Sequence, residues 1–591
     1  MPTSSKILNR RRFSAVLAAA ALVAAPSLAV GLTATSATSA SNPEIRPYEP
    51  GPSDVPADVS APKSNKPSHV PAKDVPSVAG LPVTGATGVS TRIDGLTLRD
   101  QRTANNGNSF SLEPPDQGLC VGNGRLIEAV NNVFSVYDAA SGTQLAAPQS
   151  FAPFWTNGTP EVVRHPDGSR TYGPFLSDPK CYYDPALNRF FLTQLQLGQD
   201  PSTGAFTGES FEDIAVSRTS TPTTSSADWF IYHLNVRNDG TQGTVSHPGC
   251  PCFGDQPLIG ADAYGFYVST NEFSIAGSEF NGAQLYAFDK RALTTGTMKV
   301  QRIENNGLPL AEGVAYTVQP ATSPTTSEWS GAANGTEYFL SALEFTSNGF
   351  DNRIAVWALT NTKSLTTANP DVHLTSSVLS SEVYGFPPAA QQKQGPVPQA
   401  TALKFKEELI QSNDDRMQQV VYAGGKLWSG LNTAIKTANG PTTAGIAYFV
   451  VAPSASSATG VSGTIANQGY VAAAGQSTIF PAIGVTSGGG AAMVFTLTGK
   501  DYYPSAAMVH LSSAGDVTSA VQVIAAGTTP DDGFTGYPAY GGNGAGRWGD
   551  YSAAVADSGG KVWLATEYIP GTFGYPQYLA NWGTSVAGVT P

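Results

Sequence analysis

Six aspartates stand at or just before short apolar runs in this chain: Asp116, Asp178, Asp255, Asp414, Asp415 and Asp550. Two arginines accompany them, Arg416 and Arg547. Carboxylates gathered from distant parts of a chain suit glycoside hydrolysis, which needs two of them about 5 to 9.5 Å apart around the scissile bond. Asp116, Asp178, Asp255 and Asp550 are therefore the candidate catalytic residues. Arg416, Arg547, Trp548, Glu567 and Tyr568 are the candidate substrate-binding residues, and Trp548, Tyr551 and Trp155 could stack on sugar rings. The same ring of aspartates suits Ca2+, which takes clustered carboxylate and carbonyl oxygens; no other cofactor is implied. An Asp repeated at the head of successive strands also has a purely structural use, capping the N–H groups of the turn that follows it.

The elements that must position these residues repeat. In the clearest copy, Asp550 leads into the apolar run Ser552–Ala556, a Gly turn at Gly559-Gly560, and a second apolar run, Val562–Tyr568. Units with this grammar open at Asp116, Asp178, Asp255, Gln319, Asp415, Pro481 and Asp550. Their spacing runs from 62 residues, Asp116 to Asp178, up to 96, Gln319 to Asp415. Periods this long, with three or four strands per unit and no helical periodicity between them, predict an all-β fold, a β-propeller of seven blades. One four-stranded blade cannot bury both faces alone, so the blades must pack in a ring. The first strand of each unit is then innermost, and the residues before it gather at one mouth of the central channel. Tyr578–Trp582 is expected to supply the third strand of the last unit. Tyr267, Trp428 and Trp563 are expected between blades.

Composition bounds the rest. Only 13% of residues are charged, against 62 Gly and 43 Pro, so turns outnumber long helices. A net charge of −12 argues against nucleic acid or an anionic membrane surface as partner. Arg10-Arg11-Arg12-Phe13, an Ala/Leu/Val run and small residues up to Ala40 have the form of a signal peptide over 1–40, and the Arg-Arg-x-Phe order fits twin-arginine export. Residues 41–95 read as a disordered Pro/Ser/Ala-rich linker, and 96–591 as the propeller domain. The mature protein is expected to be secreted, extracellular and monomeric, with no membrane insertion. Cys120 and Cys181 fall at nearly the same depth on adjacent inner strands and are expected to pair. That leaves Cys250 and Cys252 to a local bridge or to free thiols. Cys250-Pro251-Cys252 lacks the two-residue spacer of a zinc pair, and no metal ligand set is assigned.

Pro114-Pro115-Asp116-Gln117, Ser177-Asp178-Pro179, Gly254-Asp255-Gln256-Pro257 and Arg547-Trp548-Gly549-Asp550-Tyr551 resemble the inner-strand openings of exported bacterial propellers of the broad sialidase-like group. The resemblance implies a fold rather than a reaction. The Asp box of sialidases is absent, its nearest string being Ala556–Trp563, and there is no Arg-Ile-Pro motif. Glu567 and Tyr568 are adjacent, so on a strand they point to opposite faces and cannot form the Tyr–Glu pair of a sialidase. Two classes of function remain. One is a glycoside hydrolase using rim carboxylates; the other is a non-catalytic propeller that grips an extracellular glycan or protein, with insertions near 320–335 and 361–410. Two unpaired carboxylates beside an exposed aromatic would favour the first, and a rim of fully hydrogen-bonded aspartates the second.

Overall fold

Each unit opening of the sequence feeds a short inner strand: Gln117–Gly122, Phe175–Asp184, Cys252–Ala261, Gln319–Thr322, Val420–Ala423, Ser477–Val485 and Ala553–Ala556. In this computed structural model, which describes residues 75–303, 315–343, 349–438, 440–571 and 581–591, every inner strand heads a run of four antiparallel strands, to which blade 6 adds a fifth, parallel strand at its outer edge. Each inner strand packs against the next, and Ala553–Ala556 packs back against Gln117–Gly122, which closes the circuit of seven blades. The inner strands of blades 4 and 5 also pair directly and in parallel, Ala321 with Val420 and Thr322 with Val421. The signal peptide, the linker as far as residue 74 and Tyr578–Ala580 lie outside the described residues. The third strand of blade 7 is Gly583–Val589, beyond the segment expected to form it.

Seven apolar layers, one between each pair of neighbouring sheets, hold the ring together. Tyr267, Trp428 and Trp563 lie in these layers, almost fully buried. A buried Trp removes a large apolar area from water, and its loss leaves a cavity that costs about 3–5 kcal/mol. Cys120 and Cys181 are bonded across blades 1 and 2, with Cα atoms 5.2 Å apart, and Cys250 is bonded to Cys252. Both bridges fit an oxidising compartment. Among the described residues no helix is long and apolar enough to cross a membrane.

The linker assigned to 41–95 is too long. From Ser77 onward the chain laces the outside of the ring. Ser77–Val78 pairs with Lys436–Thr437 of blade 5, Val83–Gly85 with Val521–Val523 of blade 6, and Val89–Thr97 becomes the outer strand of blade 7. Between residues 75 and 95 only Pro76 and Pro82 remain, and both sit outside the paired strands, so the backbone N–H groups are free to join a ladder. Blade 7 thus pairs a strand from near the start of the described chain with its last strand, Gly583–Val589.

Candidate functional site

Proline shapes the mouth. Within the inner strands of blades 2 and 3, Asp178-Pro179 and Gln256-Pro257 interrupt the ladder, and the register slips between Ser177 and Lys180 and between Asp255 and Leu258. A proline has no N–H to donate, so the chain bulges there. Asp178 (φ 56°) and Gln256 (φ 50°) take up left-handed backbone to make the bend. Asp178 falls within the first bulge and Asp255, still paired with Asn271, at the start of the second, and the charges of Asp178, Arg416, Asp550 and Arg547 all act on Asp255.

There Asp116 and Asp178 are held across blades, and Asp414 and Asp550 are held in part by arginines of their own turns. Asp116 accepts from the Asp550 N–H at 3.1 Å and from Asn131 Nδ2 at 2.9 Å. Asp178 accepts from the Gln256 N–H at 3.2 Å and from Ser177 Oγ at 2.7 Å. These bonds join blade 1 to blade 7 and blade 2 to blade 3, so Asp116 and Asp178 staple neighbouring blades, whereas Asp414 caps the turn that follows it by accepting the Arg416 N–H at 3.0 Å. Asp414 holds Arg416 through two bonds of 2.7 Å and accepts from the Tyr316 hydroxyl at 2.7 Å. Asp550 accepts from Arg547 at 2.7 Å and from Asn413 Nδ2 at 2.8 Å. Arg416 also donates to Gln256 Oε1. Both predicted arginines are therefore at the mouth, each already paired with an aspartate.

Asp255 stands apart. It lies at the mouth with intermediate exposure, and burial and charge, not hydrogen bonds, set its protonation. Burial, then the nearby Asp178, push its carboxyl up to about 7, against the opposing pull of Arg416. Below it, Lys180 Nζ lies 2.8 Å from the centre of the Tyr551 ring. Burial brings that ammonium down to about 7, although Asp116, Asp178 and Asp550 favour its charge. Lys180 and Tyr551 form the ceiling of a cavity of about 620 Å³ that runs down the channel between inner strands, past Gln117, Gln418, Ala554 and Val421.

Several sequence-derived candidates are not at the mouth surface. Trp548 is buried among Ile479, Phe480 and Ile569, with its Nε1 donating to Thr496 Oγ1 at 3.1 Å. Trp155 is buried in a short helix between blades 1 and 2, and Tyr551 lies beneath the rim. None of the three offers a face for stacking, because large aromatic side chains serve the core here. Glu567 and Tyr568 are buried on opposite faces of Val562–Tyr568: Glu567 lies against Gly549, and the Tyr568 hydroxyl donates to Asp94 at 3.3 Å. Neither reaches a substrate. Among the described residues only Cys250, Cys252 and Glu272 bring three possible metal-ligand atoms together, and the two sulfurs are bonded to each other.

A second acidic cluster escaped sequence reasoning. Glu113, Glu408, Asp531 and Asp532 come from three loops that each precede an inner strand, and all are buried. The Glu407-Glu408 and Asp531-Asp532 doublets were the available signal. The exposed aromatic rings are beside this cluster: Phe405 packs on Tyr537 at 5.9 Å and Tyr540 on Phe534 at 6.0 Å.

No family model matches the chain, and no curated protein matches it. Among solved structures, a Dyadobacter fermentans protein of unknown function is 10% identical over 70% of this chain and 94% of its own, with a TM-score of 0.32. The endo-arabinase of Bacteroides thetaiotaomicron is 10% identical over 69% and 92%, with a TM-score of 0.26. Trypanosoma rangeli sialidase in complex with sialic acid is 10% identical over 72% and 56%, with a TM-score of 0.31. Likeness at this level carries no argument about activity.

Proposed function

We propose that the mouth of the channel is a carbohydrate site and that Asp255 is its proton donor. The observation behind this reading is the isolation of Asp255. Its four neighbours are engaged by arginines, amides and N–H groups, whereas Asp255 is partly exposed and stays protonated up to about pH 7. A general acid needs that combination of reach and protonation. Asp178 and Asp550, the acids whose charge raises the Asp255 pKa, are the candidates for the second carboxylate. Gln256, Asn413, Arg416 and Arg547 surround them with the amide and guanidinium donors that bind sugar hydroxyls. The protein is secreted and monomeric in this reading, and its partner is an extracellular glycan.

A second reading, a non-catalytic glycan- or protein-binding propeller, is favoured by the satisfied state of Asp116, Asp178, Asp414 and Asp550. The two separate on one experiment. The mature protein and its Asp255→Asn variant are incubated with a panel of polysaccharides and aryl glycosides, and released reducing sugar is measured. Hydrolysis by the parent at least ~100-fold faster than by the variant supports the acid role. Retention of a glycan without release of sugar supports the binding module.

A further inference from the structure

Glu408 is 1% exposed, and no N–H or O–H group among the described residues donates to either of its carboxylate oxygens. Its backbone is fixed from outside: Gln392 Nε2 donates to the carbonyls of Glu408 at 3.1 Å and Asp531 at 3.0 Å, and Gln392 Oε1 accepts from the Asp531 N–H at 2.8 Å. One glutamine thus clamps two acidic loops, 123 residues apart in sequence from Glu408 to Asp531, and their carboxyls come within hydrogen-bond reach of each other, Asp531 also accepting from the Gly533 N–H. Two glycines make the room. A Cβ on Gly536 would fall 1.8 Å from Glu408 Oε2, and one on Gly546 would fall 2.8 Å from its carboxyl carbon. Glu113 and Asp532 flank the pair, but both are already bonded. Glu113 accepts from the N–H groups of Phe534 and Thr535, and Asp532 from those of Gln399 and Ala400 and from the Tyr537 hydroxyl. The strongest charges acting on Glu408 are Asp531, Glu113 and Asp532, all acids. Two buried carboxyls this close cannot both be ionised at low cost, and Glu408 has no donor of its own, so the pair calls for a positive species between them.

We propose that Glu408 and Asp531 bind a divalent cation of the Ca2+ type. Every side chain offered is an oxygen donor, with no imidazole or thiolate, which suits a hard cation and argues against Zn2+. Two carboxylates leave the remaining positions of a Ca2+ shell to main-chain oxygens and water, so binding is weak, on the order of 10⁻⁴ M. The rim is a poorer host, because Arg416 and Arg547 already pair with Asp414 and Asp550.

The test is calorimetric titration of CaCl2 into the chelator-treated mature protein, with thermal unfolding at 0 and 10 mM Ca2+. The parent is expected to bind one equivalent and to gain about 3 °C. Glu408→Gln is expected to lose at least tenfold in affinity together with the thermal shift, while Asp255→Asn at the rim keeps both. Tb3+ luminescence sensitised by Tyr537, whose hydroxyl bonds Asp532 at 2.6 Å, reports on the parent alone and needs no variant to fold. Absence of binding and of Tb3+ emission in the parent would overturn the proposal in favour of a shared proton. Ca2+ binding that survives in Glu408→Gln and vanishes in Asp255→Asn would overturn it in favour of the rim.

Discussion

Two groups of buried acids share one face of the ring, and they are neutralised in opposite ways. At the mouth, Asp414 and Asp550 are matched by Arg416 and Arg547, Lys180 lies beneath them, and Asp116 and Asp178 accept N–H groups from neighbouring blades. A few loops away, Glu408 and Asp531 face each other, and the charges that act most strongly on them are those of further acids. The first group carries its own counter-charges, and within it burial and then Asp178 push the Asp255 carboxyl up to about 7. The second must take up something from solution, a proton or a cation. A count of aspartates cannot tell a structural rim from a binding site; the identity of their partners can.

The largest effect is expected at Arg416. Replacing it with Met strands Asp414 in a buried position, and the loss is expected to be about 3–5 kcal/mol in denaturant unfolding. Glu408→Gln is expected to do the reverse. Without Ca2+ it removes a carboxyl whose ionisation is opposed by burial and then by Asp531, and the variant is expected to be at least as stable as its parent at pH 7 in the same measurement. A Glu408→Gln variant less stable than its parent in the absence of cations would show that Glu408 has a partner of its own.

The two groups also differ in the sign of their pH dependence. Burial and then the neighbouring acid hold Glu408 and Asp531 well above the usual carboxylate range. Their stabilising contribution is therefore complete below the ordinary carboxylate pKa and is lost as pH rises through the folded values. Asp414 is the opposite case: burial opposes its ionisation, but Arg416 and Tyr316 outweigh it and hold the pKa below its usual value. Its contribution is present above the ordinary carboxylate pKa and is lost as pH falls through the depressed one. Thermal unfolding of Glu408→Gln should thus flatten the decline on the alkaline side, and that of Asp414→Asn the decline on the acid side. The smallest effect belongs to Asp255→Asn. With no hydrogen bond to lose, its change in stability at pH 6 is expected to stay within about 0.5 kcal/mol by the same measurement.

The ring itself was legible in the sequence because an inner-strand opening has a local signature. Asp178-Pro179 and Asp255-Gln256-Pro257 each combine a strand head with a residue that must break the ladder, and the Cys120–Cys181 bridge followed from their equal depth. The mouth was half legible. Asp255 and Arg416 could be named, but not that Asp255 alone lacks a hydrogen-bond partner, since that depends on N–H groups supplied by other blades. Trp548 misled because a Trp is equally at home on a sugar face and in a core, and only packing decides. Val89–Thr97 reads as linker in the sequence because its partner strand lies at the far end of the chain. The Glu408–Asp531 pair was illegible for the same reason: two unremarkable doublets become a site only when Gln392 draws their loops together.

The acid role of Asp255 is tested most directly by the pH dependence of sugar release on whichever glycan the panel identifies. The rate is expected to fall as pH rises through about 7, because the proton donor is then lost. A folded, glycan-binding Asp255→Asn variant is expected to lose at least ~100-fold in rate. A variant as active as the parent, with the same pH profile, would contradict the assignment.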